Sequence, residues 1–383
     1  MALLISVDCI HIINIYNRRQ SPTERVRSFM AKKKRIIFIV NPVSGTSGKT
    51  FVLKLIEDYL DKTVYDHEVM KTEHVGHATE LAQQAAEKGV DIVCAIGGDG
   101  TVNEVATGLV HTQTALAIIP SGSGNGLARH LRIPTDPLSA IKIINRGLTQ
   151  PMDYGLVNGR PFFCTCGVGF DAFISQRFAE SGKRGPVSYI ENVLNSSLNY
   201  HPETYELDII NNREGEEVHQ IHKAFLISLA NASQYGNNAY IAPSASVRDG
   251  MMDVTIIEPF LAIEAPQMAI QLFNGTIEQN SRIKTFQCQK AIIRRARPGI
   301  VHYDGDPMQT EKDVEVEIVH NGLMCVSPSE EGVPTVEVRV QNFITEQFKN
   351  MYNKTEELIQ ENMKKGPRIP RINTGFIRKL SDK

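Results

Sequence analysis

The chain has 383 residues, 42% of them hydrophobic and 22% charged, a composition that suits a globular protein long enough for two cores. Its formal net charge of -2 excludes the broad basic excess of a nucleic-acid-binding surface, so an electrostatic partner must be met by a local patch. No apolar run reaches the roughly 18 to 20 residues that a membrane-spanning helix needs.

Residues 1–30 read as a poorly ordered N-terminal extension. Ala2 to Val7 and Ile10 to Ile15 are apolar, but Asp8 and His11 interrupt them and no basic segment precedes them, which argues against a secretory signal. The folded unit is expected to begin near Met30. A first domain over 31–150 alternates strands and helices. Arg35 to Val40 is a continuous apolar run of the kind buried on both faces of a parallel sheet. It leads into Asn41-Pro42-Val43-Ser44-Gly45-Thr46-Ser47-Gly48-Lys49-Thr50, followed by helical spacing. A Walker A loop requires glycine where Val43 stands, so this is a strand-to-helix anion site without being a P-loop.

A short strand over Tyr65 to Met70 precedes Lys71-Thr72-Glu73-His74-Val75-Gly76-His77-Ala78 and a second helix with Leu81, Ala82, Ala85 and Ala86 on its apolar face. Asp91 to Ile96 is the next strand. It enters Gly97-Gly98-Asp99-Gly100-Thr101-Val102-Asn103-Glu104, a glycine turn opening a helix, where backbone N–H groups and the helix N-terminus attract phosphate. Asp99 inside that turn would repel phosphate unless a divalent cation or a transferable proton lay between them. Ala115 to Ile119 ends in Pro120-Ser121-Gly122-Ser123-Gly124-Asn125-Gly126. Three glycine-rich loops after three apolar strands fall at the carboxyl edge of a parallel sheet and predict one shared nucleotide pocket.

From about residue 151 to 330 the helical patterns thin out. Strands are expected over Met152 to Val157, Pro161 to Gly167, Glu203 to Ile210, Val218 to Ala230, Met252 to Ile257, Lys284 to Cys288, Ala291 to Arg295 and Val314 to Val319. Asn211 to Gly215 reads as a hairpin loop, and helices are expected near Asp171 to Glu180 and Val187 to Leu198. This is a second domain, mainly antiparallel β. The cysteines Cys9, Cys94, Cys164, Cys166, Cys288 and Cys325 lack CxxC spacing and read as reduced core residues of a cytoplasmic protein.

Residues 331–383 turn helical again through Ile344, Phe348, Met351, Leu358 and Met363. The last stretch carries Lys364, Lys365, Arg368, Arg371, Arg378, Lys379 and Lys383 against Asp382. It reads as a solvated tail after a docked or self-associating helix, which would make a homodimer. The functional alternative is a peripheral membrane contact, in which each basic residue near anionic lipid contributes about 1 kcal/mol.

Taken in order, Asn41-Pro42-x-Ser44-Gly45, Thr72-Glu73, Gly97-Gly98-Asp99-Gly100-Thr101-x-Asn103-Glu104, Pro120-x-Gly122-Ser123-x-Asn125, Gly167-Val168-Gly169-Phe170-Asp171, Asp249-Gly250-Met251-Met252-Asp253 and Asp304-Gly305-Asp306-Pro307 resemble the diacylglycerol kinase catalytic-domain family. The likeness is to its soluble bacterial lipid kinases of the YegS type and extends to sphingosine kinases. It covers about residues 33 to 326. It implies a Rossmann-like first domain similar to those of phosphofructokinase and NAD kinase, an antiparallel β second domain, and a final element packed back on the first domain. It also implies ATP- and Mg2+-dependent phosphorylation of a lipid hydroxyl, diacylglycerol-like and giving phosphatidic acid, at a membrane surface.

The same resemblance assigns Asn41, Pro42, Val43, Ser44 and Gly45 with Gly97, Gly98, Asp99, Gly100, Thr101, Val102 and Asn103 to the nucleotide phosphates, and Thr72 and Ser123 to ATP. Asp99 organises Mg2+ or the hydroxyl, or simply caps its helix. The family's general base is the Glu of Asp-Gly-Glu; here Asp306 takes that position with about 1.5 Å less reach, or is the exposed residue of a plain Asp-Gly hairpin turn. Ser246, Asp249 and the Met251 carbonyl match a structural Mg2+ site, or Asp249 is simply a turn aspartate. Asp171 matches a lipid head-group position or caps the helix it begins; Arg177, Lys183 and Arg184 are candidates for charge near the transferred phosphate, with at least two of them reading rather as isolated surface basics. The rival readings are an NAD kinase, which shares the Gly-Gly-Asp-Gly turn, a nucleotide-binding regulator without turnover, and a membrane-surface scaffold.

Overall fold

A computed structural model describes residues 33–42, 48–181, 200–211 and 216–328. Strand β1 (Lys34–Val40) buries its last five residues between β2 (Tyr65–Lys71) and β3 (Ile92–Gly97), and β4 (Ala115–Pro120) lies beyond β3, all four parallel. β3 and β4 are buried end to end, which is why their sequences run apolar without alternation. Helices α1 (Lys49–Tyr59), α2 (His77–Glu87), α3 (Asp99–Leu109), α4 (Gly126–His130) and α5 (Pro137–Arg146) follow the strands in turn. α5 shows why such a helix starts where it does: Asp136 accepts from Ser139 N–H at 2.9 Å and Pro137 occupies the first turn.

The second half begins with β5 (Thr149–Val157), β6 (Arg160–Phe162) and β7 (Thr165–Gly169), then α6 (Phe170–Ser181), β8 (Glu203–Asn211), β9 (Glu216–Ala224), β10 (Leu226–Ala230) and β11 (Met252–Ile257). It closes with α7 (Ala265–Asn274), β12 (Ile283–Cys288), β13 (Lys290–Arg295), β14 (Gly299–Tyr303), β15 (Asp306–Thr310) and β16 (Asp313–Val326). A six-stranded antiparallel sheet, in the order β12-β11-β10-β7-β14-β15, faces the β16-β13-β8 part of a ten-stranded sheet. Cys166, Val168, Ile227, Leu229, Val254 and Val301 from one meet Leu207, Ile209, Ala291, Ile293, Val314 and Val316 from the other in a common core.

The ten-stranded sheet runs β2-β1-β3-β4-β16-β13-β8-β9, so it belongs to both halves. β16 makes the connection. Its first half pairs antiparallel with β13, its register on β5 shifts between Val319 and Leu323, and Cys325 then lies parallel beside Leu116 of β4. The final strand therefore packs back on the first half.

Several segments differ from the sequence reading, among them β16, which runs on past Val319 to Val326, and α7, which was not expected as a helix. The run from Val218 to Ala230 is two strands, because the chain crosses at Phe225 from the ten-stranded to the six-stranded sheet while staying buried on both sides. The run from Pro161 to Gly167 is broken at Phe163-Cys164, whose N–H groups are bound by Asp304. The hairpin β14/β15 was not expected as strands, because its polar His302, Asp304 and Asp306 mask the alternation. The helix near 187–198, residues 1–30 and the basic tail lie outside the described residues. Among the described residues no helix is long and apolar enough to cross a membrane. Cys94, Cys164, Cys166, Cys288 and Cys325 are buried free thiols.

Candidate active site

The loops that end β3 and β4 touch through their glycines. A Cβ on Gly122 would stand 2.5 Å from the Gly98 Cα, so only glycine permits this approach, and the two turns form one continuous backbone surface. Gly100 and Ser123 are exposed on it. Asn41 joins from the end of β1: its N–H donates to Ile96 O at 3.4 Å and its Nδ2 to Thr101 Oγ1 at 3.3 Å. Pro42 beside it is exposed, and Thr72, at the end of β2, is buried with its N–H on Val40 O. Val102 has its side chain in the core and its N–H on Gly98 O at 3.0 Å, so it anchors the turn from within. Val43, Ser44 and Gly45, like Lys183 and Arg184, lie outside the described residues.

Lys49 was not singled out from the sequence. It opens α1, and its Nζ donates to Ser121 Oγ at 2.5 Å; burial pulls its ammonium pKa down. A cation short of water between two strand-end loops is suited to an anionic ligand.

Asp99 turns its carboxylate toward the neighbouring loop. Oδ2 accepts from Asn125 N–H at 2.8 Å and Oδ1 from Gly126 N–H at 2.6 Å, where α4 begins. Burial pushes its carboxyl up, and those N–H groups with the Arg129 charge oppose the push. Asp99 thus holds the β4 loop against the β3 loop and keeps lone pairs for a further partner.

Asp304 is the hub between the two halves. Its Oδ2 accepts from Asn103 Nδ2 at 2.8 Å and Phe163 N–H at 2.9 Å, and its Oδ1 from Cys164 N–H at 2.7 Å and Thr165 N–H at 3.2 Å. Burial raises its carboxyl, and these four donors offset the cost. The turn it pins, with Asp304 at φ 47°, presents Asp306 as the first residue of β15, opposite Tyr303. Asp306 is exposed to solvent. Loss of water to the surrounding walls raises its carboxyl first; repulsion from Glu104 and Asp99 adds to this, and attraction from Arg160 opposes it. Arg160 follows the Asn158-Gly159 turn, donates to Tyr303 Oη at 2.6 Å and lies 5.0 Å over that ring. Arg160 was also missed, for it becomes meaningful only once the β5/β6 hairpin sets it beside β14. Glu104 in turn accepts from Ala78 N–H at 3.2 Å.

Ser246, Asp249 and Met251 share one turn. Ser246 Oγ accepts from Arg248 N–H at 3.3 Å, and Asp249 accepts from Met251 N–H at 3.0 Å and from Gln287 Nε2 at 3.3 Å. Asp253, also on Gln287, is pushed up to about 6 by burial and then by the Asp249 and Glu278 charges. The turn is held from behind by Asp153, fully buried, which accepts from Gly250 N–H at 2.7 Å, Asn321 N–H at 2.7 Å and His320 Nδ1 at 2.8 Å. No sequence signal marked Asp153, because all its side-chain partners are remote in the chain.

Asp171 lies in the first turn of α6 and is enclosed. Its Oδ1 accepts from Ala172 N–H at 2.8 Å, and its Oδ2 meets His302 Nε2 at 3.0 Å and Tyr235 Oη at 3.2 Å. Arg177 lies 4.9 Å over the Phe173 ring on the same helix. The structure therefore brings Asn41, Gly97 to Asn103, Ser123, Asp304 and Asp306 around one junction, and sets Ser246 to Met251 on a separate turn.

The family described as the diacylglycerol kinase catalytic domain matches residues 35–157, and the YegS C-terminal NAD kinase beta sandwich-like domain matches residues 164–326. A diacylglycerol kinase of Bacillus subtilis (strain 168) is 30% identical over 280 residues, covering 72% of this chain and 90% of that protein. A diacylglycerol kinase of Staphylococcus saprophyticus is 31% identical over 236 residues, 60% of this chain and 74% of that one. A solved diacylglycerol kinase structure from Bacillus anthracis str. Sterne shares the fold with a TM-score of 0.59 at 21% identity, over 78% of this chain and 98% of that chain. On the fold, the ordered loops and these matches, the chain belongs to the diacylglycerol kinase catalytic-domain family of lipid kinases.

Proposed function

We propose that this chain transfers the γ-phosphate of ATP, as its Mg2+ complex, to the hydroxyl of a diacylglycerol-like lipid, giving phosphatidic acid and ADP. The observation that carries the reading is the placement of Asp306, on a turn pinned by Asp304, whose carboxylate also binds Asn103 of the glycine-loop helix and the backbone from Phe163 to Thr165; its raised carboxyl agrees with that role. A carboxylate of raised pKa is a better proton acceptor, and phosphoryl transfer asks the protein mainly for positioning and charge neutralisation. Asp306 takes the acceptor hydroxyl's proton as the hydroxyl oxygen bonds to the γ-phosphorus and the bond to the β,γ-bridging oxygen breaks. Lys49, the Gly97–Gly100 turn and the Gly122–Gly124 loop supply donors to the phosphates. Thr72 and Ser123 border the nucleotide. Asp171, bonded to His302 and Tyr235, shapes the head-group wall.

The donor set on the 246–251 turn suits Mg2+, since it offers oxygen atoms and sits among acids that repel one another. Ser246 Oγ, Asp249 and the Met251 carbonyl would hold the ion there, and Asp99 keeps lone pairs for a second ion near the nucleotide. Mg2+ supplies neutralisation of phosphate charge and cross-linking of the turn. The lipid is met at a membrane surface from the cytoplasmic side, with the basic residues between Lys364 and Lys383 as the electrostatic contact.

The test is incubation of the purified chain with labelled ATP, Mg2+ and a panel of diacylglycerol, sphingoid base, polyprenol, phosphatidylglycerol and NAD. Label in phosphatidic acid supports the reading. Label in phosphorylated NAD, or in none of the acceptors, overturns it.

A further inference from the structure

Outside the junction described above, His74, His77 and Glu80 bring their ligand atoms within 4.8 Å of one another at the start of α2. The local chain explains the convergence. His77 and Glu80 are three apart on one helix and share a face. Gly76, at φ 85°, folds the preceding loop back so that the His74 ring stacks on His77 with centroids 4.6 Å apart and planes 10° from parallel. His74 and Glu80 are exposed and His77 is half-buried, so approach from solvent is open.

The hydrogen bonds fix what each ring offers. His74 Nδ1 lies 3.0 Å from the Val75 carbonyl, which can only accept, so Nδ1 carries the proton and Nε2 carries the lone pair. That carbonyl-held tautomer is the arrangement found behind metal-binding imidazoles. His77 Nδ1 accepts from Glu73 N–H at 3.0 Å. Two imidazoles and one carboxylate suit zinc and its borderline neighbours far better than Mg2+, which prefers an all-oxygen set. Zinc binds nitrogen at about 2.0–2.1 Å in a tetrahedron, which sets its ligand atoms about 3.4 Å apart, so they must draw together by up to about 1.5 Å and the two rings must turn out of their parallel stack to aim both lone pairs at one ion, a side-chain rotation that the open surface permits.

We propose that His74, His77 and Glu80 form a binding site for a borderline divalent cation such as Zn2+, distinct from the Mg2+ that accompanies ATP. Coordination ties the β2–α2 loop to the first turn of α2, next to Thr72. It also has a local signature. If the ion takes His77 Nδ1, that lone pair is used; if it takes Nε2, the proton moves to Nδ1. Either way Glu73 N–H loses its acceptor.

The test uses the full chain stripped with EDTA and titrated with Zn2+, and with Co2+ for its visible absorption. Saturable binding is expected, with a rise in Tm and a displaced Glu73 amide resonance, and a Mg2+ excess leaves it in place. His74→Ala and His77→Ala each weaken it at least about tenfold. Glu80→Gln, a surface change on the same helix, weakens it as well and serves if a histidine variant folds poorly. Absence of saturable binding, equal affinity in the His74→Ala/His77→Ala double variant, or an unmoved Glu73 resonance at saturation overturns the proposal.

Discussion

The side-chain amide of Asn103, in the glycine-loop helix, donates to Oδ2 of Asp304 at 2.8 Å, across 201 residues of sequence. This bond joins the two halves of the molecule at the point where the proposed donor and acceptor loops meet. Asp304 takes three further bonds from the backbone where β6 passes into β7, so one buried carboxylate sets the position of both the Asp306 turn and the strand beside it.

Asn103→Ala leaves that buried carboxylate one donor short. A hydrogen bond to a charged group is worth about 1.5–3 kcal/mol, and urea unfolding is expected to show a loss of that size. An unchanged midpoint would mean that Asp304 finds water in place of Asn103.

A general base works only when ionised, and the Asp306 carboxyl is raised by lost hydration and by Glu104 and Asp99. Turnover should therefore fall on acidification at a pH above the ordinary aspartate range. Glu104→Gln removes a repelling charge and moves the acid limb of kcat/KM to lower pH. Arg160→Ala removes an attraction and moves it to higher pH. Shifts in the same direction for both variants would separate that limb from Asp306.

Gly122→Ala sets a methyl group against the Gly98 backbone, where a Cβ meets the Gly98 Cα at 2.5 Å. Neither partner is a flexible side chain, so the two loops must part. We expect about a 100-fold loss of kcat/KM for ATP from the misplaced loops, read together with binding of a non-hydrolysable ATP analogue. Unaltered nucleotide binding would show that the phosphates lie elsewhere.

Burial, and then the Asp249 and Glu278 charges, push the Asp253 carboxyl up to about 6 from an ordinary 3.8. Its carboxyl is raised on folding, so its contribution to stability is present below about 3.8 and lost as pH rises to about 6. At about pH 7.5 the charge works against the fold, and Asp253→Asn should stabilise the protein by about 1–2 kcal/mol once partial exposure is allowed for. Thermal unfolding in EDTA reads the gain, and added Mg2+ should shrink it if the neighbouring 246–251 turn holds the ion. A gain independent of Mg2+ would detach the ion from this turn.

Strand-end loops are legible because glycine turns after apolar runs are local, and the ordered motifs identified the family. The elements set by distant pairing were not. β16 looks like an ordinary short strand from Val314 to Val319, yet it runs to Val326 because Leu323 and Cys325 find room between β4 and β5. Asp304 was visible only as the neighbour of Asp306; its importance comes from Phe163, Cys164, Thr165 and Asn103, none of them near in sequence. Lys49 and Arg160 are single basic residues whose meaning depends on Ser121 and Tyr303.

The claim that Asp306 activates the acceptor hydroxyl is tested most directly by Asp306→Asn, assayed for transfer of label from ATP to diacylglycerol alongside ATP-analogue binding and Tm. Loss of a positioned general base should lower kcat by about 100-fold or more while nucleotide affinity and Tm stay near those of the parent protein. Equal turnover by the two proteins would contradict the assignment.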